Sequence, residues 1–328
     1  MRARDARSAP LPVAANVAAT AVAAAVAVWL FLLLPLLRGE LGAGLVAASL
    51  LVSVCAIVPH WALLHEAIHG HLLPGRKLND AVARLLAVLF LAPFDVLRFG
   101  HLEHHALNAR AVERPEIFDP RSEVLRRSRF LPDSRLVVYY LRLIGGLYLA
   151  EAASGLASFL PRRFLRPLVR RTFFEGAREA PTTADRAERR LLAPASLRRI
   201  RLEAAAILAL LFFAFALYGE AWPLLALALC GRAFLVSLLD NAAHYGGPLG
   251  DPRQGFDLAA PRALALLVLN GNLHGTHHRH PHLPWTALPA AFAADGARYA
   301  GHYLVYPWRQ FRGPIPIDRL AASVEVRP

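Results

Sequence analysis

The stretch VAANVAATAVAAAVAVWLFLLLPLL, residues 13–37, decides the fold class that the sequence predicts. None of its side chains is charged, and at a helical rise of about 1.5 Å per residue it is long enough to cross the hydrocarbon core of a bilayer, about 30 Å thick. A secretory signal is the alternative, but the apolar part of such signals is only about 7–15 residues long, and a second apolar run follows almost at once. We therefore expect a retained transmembrane helix.

Three further apolar runs are long enough to be membrane spans, and short polar links join the four runs into two pairs. Residues 38–40 link the first pair, and residues 219–220 link the second. Links of this length join antiparallel helices. We expect an all-α integral membrane protein that forms a single domain over residues 1–328, with about four transmembrane helices in two hairpins. The predicted spans are residues 13–37, 41–64, 200–218 and 221–239.

The composition limits the function classes that remain open. Hydrophobic residues make up 56% of the chain and charged residues 19%, which excludes a disordered protein. The formal net charge is +13, but the arginines are dispersed between apolar runs and lack interleaved aromatic residues. We therefore expect anionic lipid headgroups, and not nucleic acid, as their partners. Arg98, Arg110 and Arg114 are candidates for such contacts, and positive-inside placement explains them equally well.

Eight of the 14 histidines lie in three short clusters: HEAIH at residues 65–69, HLEHH at 101–105 and HGTHH at 274–278. At about 100° per helical residue, the HxxxH pair lies about 40° apart and each HxxHH set covers about 100°, so every cluster presents one imidazole face. Neutral imidazole binds iron, zinc, copper and nickel. His71 and His280 lie off these faces and are not predicted to be ligands. The candidate ligands are His65, His69, His101, His104, His105, His274, His277 and His278.

A ninth candidate ligand, His244, ends the last apolar run in the sequence DNAAH. Asp240 precedes it by four residues, so both side chains point the same way from a helix. Asp240 is a candidate to support the metal directly or through water, and a plain ion pair with Arg232 or Arg253 is the alternative. Asn270 and Asn272 precede the third cluster and are candidates for the same supporting role. We predict no catalytic residue beyond the metal ligands.

The three clusters and His244 can meet only on one side of the membrane. The number of crossings between the second cluster and His244 must then be even. Residues 136–160 are also apolar enough to cross, although they contain Arg142, Glu151 and the Gly145-Gly146 pair. Because the second hairpin already supplies two crossings, residues 136–160 should instead lie in the interface or enter and return, helped by the two glycines. The positive-inside rule makes the shared side cytoplasmic. The segments predicted to be cytoplasmic are 65–135 with the first two clusters, the connector 161–199, and 240–328 with the third cluster.

The clusters resemble the three histidine boxes of the membrane fatty acid desaturase and hydroxylase superfamily, over residues 60–289. The resemblance implies four spanning helices and a cytoplasmic helical cap that holds two iron ions with O2 as co-substrate. Members have a further histidine ahead of the last box, with a polar residue four positions before it, and His244 matches this histidine. Asp240 stands where acyl-CoA desaturases carry an asparagine. A carboxylate there would either bind iron directly or orient His244.

The residues around the clusters, HEAIHGHLLPG and NLHGTHHRHPHLPW, are similar to those of bacterial acyl-lipid desaturases and carotenoid ketolases or hydroxylases. This likeness implies an enzyme of the bacterial inner membrane that introduces a double bond into a lipid acyl chain. Hydroxylation or ketolation of a fatty acyl, sphingolipid-like or carotenoid substrate is the alternative. The HPGG haem motif does not occur in the sequence, so the likeness implies a separate electron donor, a ferredoxin or a cytochrome with its reductase.

Other kinds of histidine-rich membrane protein are the remaining alternatives. A metal transporter or metal-binding membrane protein would carry histidines or carboxylates near the middle of its spans. A haem protein would need paired histidines on facing helices within the bilayer, whereas these histidines lie at span ends and in polar segments. Histidines on solvated loops would need no ligand role. The regular spacing and the shared side favour the metal site.

Overall fold

A computed structural model of the chain describes residues 9–108, 114, 116–118, 134–172, 182–251 and 253–321. Most of these residues are helical. Contacts group the chain into two compact units, each built from stretches that are separate in the sequence. The first unit comprises Ala14–Glu103 and Tyr148–Arg232. The second unit comprises Met1–Val13, His104–Leu147 and Ala233–Pro328.

The first apolar helix begins and ends where the sequence predicts. It covers Val13–Leu37 as α1 (Val13–Val28), a π-helical turn (Trp29–Leu33) and α2 (Leu34–Leu37). Pro35 has no amide hydrogen to donate, and the wider turn just before it accommodates the proline within a continuous helix.

The second apolar helix is longer than its apolar run. α3 (Ala43–Cys55) and α4 (Ile57–His69) together cover Ala43–His69, whereas composition predicts a span that stops at residue 64. Backbone hydrogen bonds continue the helix past its last apolar residue. It stops at Gly70, whose φ of 81° closes the last turn in a left-handed conformation. The first histidine cluster therefore lies inside the helix and not after it.

The third apolar helix, Pro194–Ala242, is 49 residues long, more than twice the length of about 20 residues that one crossing needs. It consists of α11 (Pro194–Tyr218) and α12 (Trp222–Ala242), separated by a 3-10 turn at Gly219–Ala221. With this helix, three helices in the described part of the chain are long and apolar enough to cross a bilayer. This agrees with an integral membrane protein, and the count of four crossings stays a prediction.

Side-chain contacts within the first unit show that the chain folds back at Gly219. The backbone amide of Phe94 donates to the carboxylate of Glu203 on α11, at 2.7 Å. The guanidinium of Arg232 on α12 donates to the carbonyl oxygen of Leu89, at 3.4 Å. Leu89 and Phe94 lie on either side of one short link, residues 91–93. Glu203 on α11 and Arg232 on α12 are therefore close to the same point of the chain, so α12 runs back alongside α11 after the turn. This is the hairpin that the two-residue link predicts.

Gly219→Ala is expected to lower the free energy of unfolding by about 1–3 kcal/mol, because a residue with a Cβ is strained in that backbone conformation. Its φ is 54° and its ψ is −126°. Gly39→Ala, in the link between α2 and α3, is the matched control, since a Cβ meets nothing within 4 Å at either glycine but Gly39 does not have a positive φ. Unfolding in mixed micelles with increasing SDS measures both variants. Equal losses in the two variants would contradict the role of Gly219.

Residues 81–91 are a short apolar stretch of the sequence, too short to cross a bilayer, and most of them form the second half of a helix, α5 (Arg76–Phe90). It packs against α4 and α11, and Leu91, with a φ of 72°, ends it. The amphipathic pattern explains the packing, because the residues that face inward recur at helical spacing. Its buried apolar residues are Ala83, Leu86, Ala87 and Phe90.

The arginine-rich connector, residues 161–199, holds the helix that carries the second histidine cluster. It forms α9 (Arg162–Thr172) and α10 (Thr183–Leu191) before α11 begins. Arg186 on α10 donates from Nε to both carboxylate oxygens of Glu103, at 2.9 and 3.0 Å, on α6 (Phe94–Leu107). A planar guanidinium bound to a carboxylate in this way fixes orientation as well as distance.

The segment predicted to be interfacial or re-entrant, residues 136–160, consists of two short helices. α7 (Ser134–Leu141) and α8 (Leu147–Ala157) are separated by a π-helical stretch, Arg142–Gly146, in which Gly145 has non-helical dihedral angles. Neither helix has the length of about 20 residues that a crossing needs. The position of this segment relative to a membrane stays a prediction.

The second unit contains short strands that the all-α prediction missed. β1 (Ile117–Phe118) pairs in parallel with β4 (Ile315–Pro316), and β2 (Asp257–Ala259) pairs in parallel with β3 (Tyr299–His302). Strands of two to four residues are too short for an alternating pattern to be visible in a sequence. The helices that follow α12 in this unit are α13 (Arg262–Leu267), α14 (His274–Arg279), α15 (Leu288–Ala294) and α16 (Ile317–Ala321).

Candidate metal centre

Four histidines of the second unit bring their ring nitrogens together. They come from three places in the sequence: the last turns of α6, the chain just after α12, and α14. Each offers one nitrogen, and the four nitrogens lie within 4.8 Å of one another. We call this set the four-histidine group. Its members are His104, His244, His274 and His278.

The spacing of these nitrogens is that of ligands to a shared ion. The Nε2 atoms of His104 and His244 are 3.0 Å apart, those of His244 and His274 are 2.8 Å apart, and those of His274 and His278 are 3.1 Å apart. Two nitrogens bound at right angles to one metal ion at about 2.1 Å would lie about 3.0 Å apart. A chain of imidazoles at this spacing therefore fits a metal ion.

The protonation state also fits a metal ion. Burial lowers the pKa of His244 well below its ordinary value, and the neighbouring His104, His274 and Arg114 lower it further. Burial lowers the pKa of His278 as well, again with help from the surrounding histidines. Both rings are therefore neutral at physiological pH. The neutral ring is the form that binds a metal, so binding requires no proton to be removed from either.

Two more predicted ligands lie beside the four-histidine group in the second unit. The Nε2 atoms of His105 and His277 are 3.1 Å apart. The ring of His105 stacks on that of His278, with centroids 4.2 Å apart. Six of the nine predicted ligands are thus brought together within this unit.

The other three predicted ligands form a cluster within the first unit. His65 and His69 lie one helical turn apart on α4, and their ring centroids are 5.0 Å apart. His101 on α6 faces both: its Nε2 is 3.0 Å from that of His69, and its ring centroid is 4.5 Å from that of His65. The turn spacing of HxxxH explains this arrangement, because residues four apart share a helix face.

The donor set is all imidazole, and four of its nine members are buried. The rings of His101, His244, His277 and His278 are almost fully shielded from solvent. Imidazole suits iron, zinc, copper and nickel alike, so the donors establish a fit to a transition metal and leave its identity open.

The sequence model of the fatty acid desaturase family matches residues 41–310. The match begins at the second apolar helix and includes all nine predicted histidine ligands. The chain belongs to the fatty acid desaturase family. No curated protein gives a significant match. The resemblance of the three histidine boxes is therefore confirmed at the level of the family.

In this desaturase-family protein, a buried carboxylate that the sequence reasoning missed supports the third histidine cluster. Asp257 on β2 accepts hydrogen bonds from the backbone amide of Thr276 at 2.7 Å and from its hydroxyl at 3.0 Å, and pairs with Arg279 at 3.1 Å. α14 has only six residues, so it depends on such an external anchor. Gly275 lies against the backbone of Gly255, where a side chain has no room. The tripeptide around Asp257 matches no motif that would have revealed it.

Asp257→Ala is expected to weaken metal binding by about 10- to 100-fold, because residues that orient metal ligands have effects of that size. The lost contacts would free α14, which carries three of the ligands. Asp251→Ala is the matched control, since the side chain of Asp251 is 57% exposed, pairs with the guanidinium of Arg253 at 3.6 Å and accepts a hydrogen bond from the backbone amide of Arg253 at 2.9 Å. Competition with a chelator measures the affinity. A full affinity in the Asp257 variant would contradict the role of the anchor.

A second support, also missed, holds the backbone of His244. Arg114 is only 2% exposed and donates to the carboxylate of Glu116 at 2.6 and 2.8 Å. The same guanidinium donates to the carbonyl oxygen of His244 and to the side-chain oxygen of Gln254, the latter at 3.3 Å. The interpretation of Arg114 as a headgroup contact is wrong, because it is buried. Among the other two arginines considered for that role, Arg98 pairs with Asp80, and Arg110 lies outside the described residues.

The remaining predicted residues contribute less directly. The amide of Asn270 donates to the carbonyl oxygen of Trp285 at 3.0 Å, and that of Asn272 to Leu258 at 2.8 Å, so both tie loops around the third cluster together. Asp240 lies near Tyr303. Burial is the larger cause that raises the pKa of the Tyr303 hydroxyl, and the negative charge of the Asp240 carboxylate raises it further. None of the three belongs to the four-histidine group. Their supporting role stays a prediction.

His71 and His280, which lie off the helix faces of the clusters and are not predicted ligands, have other neighbours. The ring of His280 donates to the carboxylate of Asp295, at 3.0 Å. The ring of His71 lies over that of His69, with centroids 6.0 Å apart, and its Nδ1 is 4.0 Å from Glu66. His280 provides a natural control for experiments on the ligands, since it is close to His278 in the sequence.

Proposed function

We propose that this protein is a membrane-bound, non-haem diiron oxidoreductase that uses O2 to introduce a double bond into a lipid acyl chain. The observation that carries the proposal is the convergence of four imidazole nitrogens within 4.8 Å, in a chain of the fatty acid desaturase family. The apolar helices support a membrane-resident substrate, because a lipid chain is concentrated where these helices lie.

We propose that the eight histidines of the three clusters, together with His244, supply the ligands of two iron ions. When bound, two ferrous ions with O2 supply the oxidising power to remove hydrogen from an unactivated C–H bond. The protein has to hold its ligands neutral, keep them in place and exclude water. At His244 and His278, burial keeps the imidazole rings neutral and excludes water from them.

The buried polar residues hold the ligands in place. Asp257 anchors the helix of the third cluster through Thr276, and Arg114 anchors the carbonyl group of His244. Arg186 fixes Glu103, which directly precedes His104 on α6. These contacts restrict the motion of the ligands, so the reacting methylene would meet a rigid site.

The membrane side and the electron donor belong to the same proposal. We place the protein in a bacterial inner membrane with the site facing the cytoplasm, which is supported by the arginine-rich connector 161–199 and the positive-inside rule. We propose a separate donor, a ferredoxin or a cytochrome with its reductase, because the sequence contains no HPGG motif. A lipid and this donor are then the partners, with no nucleic acid involved.

The test uses the full chain in lipid nanodiscs loaded with ferrous iron, a chemical or enzymatic reductant, and O2. Metal analysis of the purified protein and mass spectrometry of the extracted lipids are the two readouts. A product two hydrogens lighter than its substrate, absent without O2, is the expected result. A product one oxygen heavier would instead favour the hydroxylase, and a carbonyl product the ketolase. Bound metal with no O2-dependent product would favour a metal-binding or transport protein.

A further inference from the structure

The second unit exposes a group of large apolar side chains near the end of the described chain. Val305 is 65% exposed, Trp308 is 56% exposed, and Leu304 and Phe311 are also exposed. The rings of Trp308 and Phe311 stack, with centroids 5.7 Å apart. We call these four residues the aromatic patch. Adjacent exposed apolar residues of this size mark an interaction surface.

Exposed apolar residues of α7 and the stretch after it extend the aromatic patch. The hydroxyl of Tyr140 donates to the carbonyl oxygen of Phe311, at 3.1 Å. Leu136 also lies close to Gly313. The two segments are therefore side by side. The exposed apolar residues that α7 and its continuation add are Leu136, Val137, Leu141 and Ile144.

Basic side chains lie among these apolar residues. Arg309 and Arg312 alternate with the members of the aromatic patch along the chain, and Arg142 stands between Leu141 and Ile144. All three are exposed, and the guanidinium of Arg309 lies 4.7 Å from the centroid of the Tyr306 ring. Tryptophan beside arginine, at the edge of an apolar surface, is the composition of segments that lie in the headgroup region of a bilayer.

Buried hydrogen bonds fix this surface to the last turns of α12. The side chain of Gln310 is fully buried and donates to the carbonyl oxygen of Leu238 at 2.6 Å. The side-chain oxygen of Gln310 accepts from the amide of Asn241 at 2.9 Å, and the backbone carbonyl oxygen of Gln310 accepts from the hydroxyl of Tyr139 at 2.7 Å. The ring of Phe311 also faces that of Phe234 on α12, with centroids 6.5 Å apart. The surface thus lies beside the polar end of an apolar helix long enough to cross the membrane.

We propose that the aromatic patch, together with the exposed face of α7 and its continuation, is a membrane-surface anchor that inserts into the headgroup region of an anionic bilayer. A bilayer fits better than a second copy of the chain, for two reasons. The surface is continuous with the end of a candidate span, where the bilayer surface must be. Its exposed charges include three arginines, which complement anionic headgroups and would repel the same arginines on a second copy.

The test measures the depth of Val305. In a variant with Cys55→Ser and Cys230→Ser, which removes both cysteines, Val305→Cys is labelled with an environment-sensitive fluorophore. Each nanodisc contains one chain and a mixture of zwitterionic and anionic lipids. Asp251→Cys, at an exposed polar turn, is the matched control site. We expect quenching by aqueous iodide to be roughly threefold weaker at position 305 than at 251, and quenching by headgroup nitroxides to be stronger.

The charge arm of the test replaces Arg309 and Arg312 by glutamine, with lysine at both positions as the control. The glutamine variant should raise iodide quenching at position 305 in anionic nanodiscs, and the lysine variant should not. Circular dichroism shows that each variant is folded. Equal iodide quenching at positions 305 and 251 would overturn the proposal. Protection that appears only when two chains share a nanodisc would overturn it in favour of self-association. The anchor requires a bilayer and not the reaction, so loss of activity does not bear on it.

Discussion

Replacing His278 by alanine is expected to remove the metal from the four-histidine group and to lower activity by more than about 100-fold. Loss of a residue that only supports a ligand costs 10- to 100-fold, and His278 is itself a candidate ligand. Its nitrogen lies 3.1 Å from that of His274, and its ring packs on that of His105. Its loss would therefore disturb both neighbours. Iron per chain and product formation in nanodiscs are the two measurements.

His280→Ala is the matched control for this prediction. It removes an imidazole two positions away, at the end of the same helix, whose partner is Asp295. We expect its iron content to equal that of the wild type and its activity to stay within a few-fold. Two variants with the same iron content and the same activity would contradict the assignment of His278 as a ligand. Circular dichroism of both variants excludes a general loss of fold.

Arg114→Met is expected to lower the free energy of unfolding by about 3–5 kcal/mol, the cost of breaking a buried ion pair from one side. Glu116 is fully buried and would lose its cationic partner. The carbonyl group of His244 would also lose a donor. We therefore expect weaker metal binding as well as lower stability. Unfolding in SDS mixed micelles and chelator competition measure the two effects.

Arg98→Met is the control for the cost of losing an arginine ion pair. The pair that Arg98 makes with Asp80 is partly exposed, with side-chain exposures of 18% and 22%. Because solvent screens such a pair, we expect a loss of about 1 kcal/mol or less. The double variant Arg114→Met with Glu116→Gln should recover part of the loss, since no buried charge then remains. Equal losses of unfolding free energy in Arg98→Met and Arg114→Met would show that burial does not determine how much an arginine ion pair stabilises this protein.

The sequence predicted the helices well wherever apolar residues run without interruption. Val13–Leu37 begins and ends as expected, because its boundaries coincide with changes in composition. The end of the second helix was not predictable in this way. His65 and His69 are polar, so composition ends the span at residue 64, but the backbone continues its hydrogen bonds to the left-handed Gly70.

The convergence of the histidines was predictable because their spacing follows the helical repeat. His104 and His278 each lie in an HxxHH pattern, and the structure brings them to one group. The supports of the site were not predictable, because they act through contacts that have no sequence spacing. Asp257 reaches Thr276 from a separate strand, and the burial of Arg114 depends on Glu116 and on the loop after α12. A charged residue in a polar segment gives no sign that it will be buried.

The four-histidine group also constrains the order of events during synthesis. His104 and His244 are 140 positions apart, and His274 is 30 positions further on. At a translation rate of about 5–20 residues per second, a ribosome needs roughly ten seconds or more to pass from the second histidine cluster to the third. A nascent chain therefore contains one imidazole of this group long before it contains the others. A metal ion that uses all four imidazoles can bind only after nearly the whole chain has been translated, when the first apolar helices have already left the ribosome.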